Sequence, residues 1–212
     1  RWGRVSEGSG EDSYLGSLIA AAMVEGYQGE SPESLASDST ILACIKHFAA
    51  YGAPQAGRDY QTVDITDRTL REVYLPPYQA GIDAGVGSVM SAFNDIDAVP
   101  ATASHYLMTD ILRKEWGFNG FVVTDFTAIN ELVPHGVAAD SMEAGALALN
   151  AGINMDLQGD IYHRFLKQLV EQKKVSLRQV DRMCAGVLRV KCALGLFDDP
   201  YRYLDTTAAA RE

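Results

Sequence analysis

Short apolar runs alternate with longer amphipathic stretches along this chain, a pattern that predicts βα units around a parallel sheet. Four runs have the length and composition of buried strands: residues 41–48, 87–93, 120–125 and 152–156. Each begins apolar and ends in polar or charged residues, as expected where a strand leaves the core at a loop-bearing face. Helical periodicity fills the intervals over 14–27, 67–84, 105–116, 141–150, 162–173 and 176–194. Thr66 and Ser176 stand where helix caps belong, and Gly117 and Gly195 where helices stop. The Pro76-Pro77 pair should break or kink the second helix, because neither residue has an N–H to donate.

Four βα units are half of a (β/α)8 barrel, whose closed form takes about 250 residues. The 212 residues are too few for closure. The expected architecture is therefore α/β, either half a barrel or an open doubly wound sheet. Residues 1–196 would form the barrel part, and 197–212, which lack periodicity, would lead out of it as a linker or tail.

Composition narrows the function classes. With 47% hydrophobic and 22% charged residues the chain is globular in type. A net charge of −10 argues against a nucleic-acid partner, which needs clustered Lys and Arg, and no run approaches the ~20 apolar residues of a membrane helix. Cys44, Cys184 and Cys192 are odd in number and lack metal-ligand spacing, so buried free thiols are expected and no metal or cofactor.

In a parallel βα fold, reactive groups gather at the carboxyl ends of strands. Those ends offer Lys46 and His47, then Phe93-Asn94-Asp95, then Asp125, then Asp156. Asp125 follows Phe121-Val122-Val123 and should emerge from the core edge with little water around it, which requires donors or cations nearby. The plainer alternative is an N-cap for residues 127–132. Lys46 and His47 could hold a carboxylate ionised and donate to hydroxyl groups, or could be a buried ion pair and a satisfied core histidine. Arg58-Asp59 reads as a local salt bridge, and His135-Gly136 as a turn.

The order and wording of these segments resemble glycoside hydrolase family 3. The resemblance runs through RWGRVSEGSGEDSYLG from Arg1, KHFAAYG from Lys46, GRDY from Gly57, LREVYLPPY from Leu70, VMSAFND from Val89, VPATAS from Val99, LRKEWGFNGFVVTD from Leu112 and HGVAAD from His135. It is strongest toward bacterial, periplasmic-type β-glucosidases, and it implies the C-terminal half of the barrel. Carried across residue by residue, it makes Asp125 the nucleophile of a retaining hydrolase. It gives Arg4, Lys46 and His47 the sugar hydroxyls and sets Phe93 close to the nucleophile, with Met90 on the same strand packing against the pocket. Phe126 replaces the usual Trp as a wall of the leaving-group site, and Thr124 replaces the usual Ser. Ala98 stands where Gly is usual, and Leu157-Gln158 where Met-Glu is usual.

The same resemblance implies partners and absences. A β-glucoside or oligosaccharide is the expected substrate. The general acid/base Glu lies in an α/β sandwich domain outside these residues, as does the first half of the barrel. A periplasmic or extracellular location follows, with a homodimer as an option. Three other readings stand beside this one: a β-xylosidase of the same family, an inactive half-barrel or interaction module, and a lyase forming a Schiff base on Lys46.

Overall fold

A computed structural model describes residues 2–201 and 204 of the chain. Its centre is a three-stranded parallel sheet of β1 (Cys44–Phe48), β2 (Ser88–Ser91) and β5 (Phe121–Val123), with β2 in the middle. Ile45 aligns with Val89, and Val89 with Val122. Because side chains alternate across a strand, this register sends Val89 and Val122 to one face and Met90 and Val123 to the other. Val89 and Val122 are fully buried beneath the helices.

The expected fourth strand is reduced to one bridge, Val123 to Met155. Asn154 accounts for the loss. Its side-chain Oδ1 takes the Val122 N–H at 2.8 Å, while the Asn154 and Met155 amides both bond the Val122 carbonyl. A small hairpin that the sequence pattern does not predict, β3 (Asp95–Ile96) with β4 (Val99–Pro100), follows β2. Asp97 and Ala98 turn it with φ of 52° and 60°, the left-handed pair a tight hairpin needs.

The helices fall close to their expected places. Asp12 caps α1 (Ser13–Gln28) through a 2.7 Å bond to the Leu15 amide. Thr66 caps α2 (Asp67–Thr69), which widens into a π turn over Leu70–Tyr74 before α3 (Pro76–Asp83) starts on its prolines. The widening is the break expected there: with no N–H on Pro76 or Pro77, the helical register slips by one residue and the Leu75 amide bonds the Leu70 carbonyl instead. Residues Tyr106–Glu115 are likewise π-helical and end at Gly117, whose φ is 69°. Then come α4 (Ser141–Ala151), α5 (Ile161–Glu171) and α6 (Leu177–Ala193), the last capped by Ser176.

Two side-chain amides, Gln28 buried and Asn154 partly buried, tie the ends of the strands together. Gln28 at the end of α1 accepts from the Ala43 and Gly87 amides and donates to the Gly85 carbonyl, clamping the starts of β1 and β2. Asn154 accepts from Arg113 and Val122 and donates to Met183 in α6. Arg113 sits partly buried on the Phe118 ring and also donates to the Phe118 and Gly120 carbonyls; loss of water around it lowers its pKa to about 10.

Two expectations are corrected. The cysteines are free but exposed, because Cys44 lies on an edge strand and α6 buries Gly186 and Val190 instead of Cys184 or Cys192. The four-stranded half-barrel becomes three strands and a bridge, for the reason given by Asn154. Most of the expected tail, residues 197–212, lies outside the described residues. Among the described residues no helix is long and apolar enough to cross a membrane, and no cluster of His, Cys, Asp or Glu could hold a metal.

Candidate active site

Asp125 emerges directly beyond β5, and two neighbouring segments hold its loop. The Thr124 amide donates to the Met155 carbonyl at 3.0 Å, and the Thr124 hydroxyl accepts from the Leu157 amide at 2.8 Å. The Thr127 amide closes the loop on the Leu157 carbonyl, with Thr127 at a φ of 56°. The helix-cap alternative for Asp125 fails: its Oδ1 accepts from the adjacent Phe126 amide at 2.7 Å, and the next element is a single 3-10 turn over Asn130–Leu132.

His47, at the end of β1, approaches Asp125 from the side. Its Nε2 lies 3.2 Å from Asp125 Oδ2 and 3.3 Å from the Arg4 guanidinium. Arginine can only donate, so Nε2 must accept and the ring proton belongs on Nδ1. Two acceptors therefore face each other across the 3.2 Å contact. This fits the buried Asp125 Oδ2, which has no hydrogen-bond partner among the described residues. Burial pushes the His47 pKa down from 6.5 to about 4, with Arg4 and Lys46 adding to the shift and Asp125 opposing it. The imidazole is neutral at pH 7. Tyr78 of α3 fixes it from behind by donating to the His47 carbonyl at 2.5 Å.

Arg4 reaches this point from the first residues of the chain. Its guanidinium is held by two 2.7 Å bonds to Glu7 and lies over the rings of Trp2 and Tyr51. Tyr51 is almost fully buried and touches Trp2, His47 and Phe93 edge-on or tilted. Its hydroxyl has no hydrogen-bond partner by distance and angle among the described residues; burial first, then the neighbouring Asp59 carboxylate, raises its pKa.

The residues anticipated for the site thus divide. Arg4, His47 and Asp125 form a chain of close contacts, with His47 in the middle. Lys46 is exposed at the end of β1, beside Glu7 and His47 in electrostatic reach. It pairs with no carboxylate among the described residues, so the buried ion pair is not found. Nor is the desolvated amine that Schiff-base chemistry needs. Met90 shares a sheet face with Val123, two residues before Asp125. Phe93 is buried and reaches the centre through Tyr51. Phe126 stands 58% exposed at the rim.

Other groups were not anticipated. Trp2, Tyr51 and Tyr60 complete an aromatic wall around Arg4 and Phe93. Arg58 and Asp59 form no ion pair among the described residues; Asp59 faces Tyr51 instead. His135 does sit in a turn, with its Nδ1 3.9 Å from Asp95. The motifs KHFAAYG and GRDY contain Tyr51 and Tyr60, but neither spacing nor periodicity distinguishes a wall aromatic from a core one.

Comparison with known proteins places the chain in a family. Residues 1–190 match the model of the glycosyl hydrolase family 3 N terminal domain. The periplasmic beta-glucosidase of Salmonella typhimurium is 45% identical over the whole of this chain, which spans 28% of that protein. A beta-xylosidase of Formosa agariphila is 38% identical over 97% of the chain and 30% of its own length. Among solved structures, the beta-glucosidase from Listeria innocua in complex with isofagomine superposes with a TM-score of 0.94 at 43% identity, covering 97% of this chain and 29% of that one. The chain spans under a third of the relatives it matches, and with a family model covering nearly all of it, it belongs to glycosyl hydrolase family 3, in that family's N-terminal domain.

Proposed function

We propose that this chain is part of a retaining β-glucosidase in which Asp125 attacks the anomeric carbon of a terminal β-D-glucosyl residue. The observation that carries this reading is the approach of His47, itself in contact with Arg4, to the Asp125 carboxylate at the carboxyl end of the sheet. In such a reaction one carboxyl group attacks while a second, about 5 to 5.5 Å away, protonates the leaving oxygen and later activates water. Asp125 is the first of these. Its Oδ1 is steadied by the Phe126 amide, and its Oδ2 has no hydrogen bond among the described residues.

The surroundings fit a sugar in the adjoining space. Neutral His47, with its proton on Nδ1, and the cations Arg4 and Lys46 supply donors for sugar hydroxyls. Met90 and Phe93 form the apolar side, and Phe126 borders the leaving group. Positive charge develops on the sugar ring in the transition state, and the two cations would oppose it, so their main task is positioning. The acid/base Glu comes from sequence beyond these 212 residues, in keeping with the share of the relatives that the chain spans. Residues 1–196 then belong to the barrel domain and 197–212 lead out of it. The name of the Salmonella relative supports a periplasmic setting.

A β-xyloside is the second substrate class, favoured by the Formosa relative. The two differ by the hydroxymethyl group at C5, and this chain alone holds only part of the pocket that would read it.

Replacing Asp125 with Ala in an enzyme carrying this chain should lower turnover of an aryl β-glucoside by at least about 10³-fold, the loss typical of a missing nucleophile. Near-normal turnover would remove Asp125 from the mechanism.

A further inference from the structure

The loop after β1 holds a tyrosine with a left-handed backbone. Tyr60 has a φ of 64°, in the left-handed region that costs a residue with a β-carbon about 1–2 kcal/mol. Ala56 and Gly57, at 57° and 67°, bend the same loop. Its base is fixed: the Gln55 amide donates to the Thr62 carbonyl at 2.9 Å, the Val63 amide to the Asp95 carbonyl at 2.8 Å, and the Thr62 hydroxyl to Asp95 at 3.0 Å. The loop tip is thus presented by a pinned frame, and strain held in this way tends to collect at ligand sites.

The ring itself is half committed. Its centroid lies 4.2 Å from that of Phe93, with the planes tilted by 38°. Phe93 is buried, yet Tyr60 stays 41% exposed. A core aromatic would bury the whole ring, whereas here one side packs on Phe93 and the rest stays open. A continuous run of contacts joins this ring to the nucleophile: Phe93 packs on Tyr51, Tyr51 on His47, and His47 Nε2 lies 3.2 Å from Asp125.

We infer that Tyr60 is a further substrate-binding residue: its ring, shelved on Phe93, packs against the apolar C–H face of the pyranose that Asp125 attacks. The inference rests on the glucosidase reading. A flat aromatic surface suits a pyranose because the axial C–H groups of β-glucose form an apolar face, and a rigid ring loses little entropy on contact.

The test uses an enzyme that carries this chain within the length of its relatives, with an aryl β-glucoside as substrate. Tyr60→Phe keeps the ring and should raise KM several-fold less than Tyr60→Leu does. Tyr60→Leu and Tyr60→Ala remove the flat face and should raise KM about tenfold or more, about 1.4 kcal/mol of binding, with a smaller change in kcat. Thermal midpoints of the variants report folding; if the Ala variant fails to fold, the Leu variant decides. An unchanged KM in Tyr60→Leu would overturn the proposal. So would a Phe variant as impaired as the Leu variant, since the hydroxyl would then be the working group. Asp125→Ala in the same series separates the two claims: full turnover in that variant defeats the nucleophile reading, while the KM values of the Tyr60 series judge Tyr60 independently.

Discussion

A histidine beside a carboxylate is commonly taken as an imidazolium, but at His47 burial outweighs the attraction of Asp125, and Arg4 requires Nε2 as an acceptor. The folded pKa near 4 lies below the unfolded 6.5. Between those values the unfolded chain binds more protons than the folded one, so this residue's contribution to stability is complete above about pH 6.5 and is lost as pH falls toward 4. The charged or titratable groups acting on His47 are Asp125, Arg4, Lys46 and Glu7. Replacement by Asn should flatten that part of the thermal midpoint against pH, leaving the midpoint of the variant less sensitive than the parent's over the same window. An unchanged slope would show that His47 is already charged in the folded state.

The candidate site is legible in the sequence to the extent that chemistry follows residue type at strand ends. Asp125, His47 and Arg4 stand out through strand ends and a family resemblance, and they do converge. Lys46 is equally prominent in the sequence, yet it is exposed and forms no ion pair among the described residues. Tyr51 and Tyr60 carry no such signal, because an aromatic in an apolar-rich loop has the same pattern whether it fills the core or lines a cavity. Only the approach of Arg4 to one and the backbone of the other separate them.

At the scale of elements, helices are easier to place than strands. Caps at Asp12, Thr66, Asp140 and Ser176 and stops at Gly29, Gly117, Gly152 and Gly195 act within a few residues, so local sequence carries them. Strand length depends on what pairs alongside. The run 152–156 has a strand's composition, but the Asn154 side chain occupies the Val122 amide and reduces the pairing to a bridge. Gln28 is the counterpart at the other edge. Its replacement by Ala would leave the Ala43 amide unpaired in a buried position and the Gly87 amide and Gly85 carbonyl unpaired where water has partial access, a loss of about 1–3 kcal/mol. A urea midpoint that falls with an unchanged slope would register it; no shift would mean that water replaces the amide.

For the molecule as a whole, the sheet has open sides. β1 is an edge strand, and the segment beyond β5 adds only a bridge. Tyr14, Leu15, Leu18 and Met23 of α1 and Ile41 before β1 expose large apolar surface. Such edges and patches favour association. The isolated 212-residue chain should accordingly show no turnover of an aryl β-glucoside and should self-associate as concentration rises, by light scattering. Turnover by the isolated chain would dispense with an outside acid/base group. What the sequence determined by itself was everything set by near neighbours: the βα alternation, the helix ends, the proline break, and the carboxylate delivered at the end of a buried strand. What only the tertiary structure decided was every property that depends on chain segments distant in sequence. Arg4 meets His47 across 43 residues, and His47 at the end of β1 meets Asp125 beyond β5. The proton on the imidazole, the unpaired carboxylate oxygen and the exposed face of Tyr60 exist only because those segments are brought together.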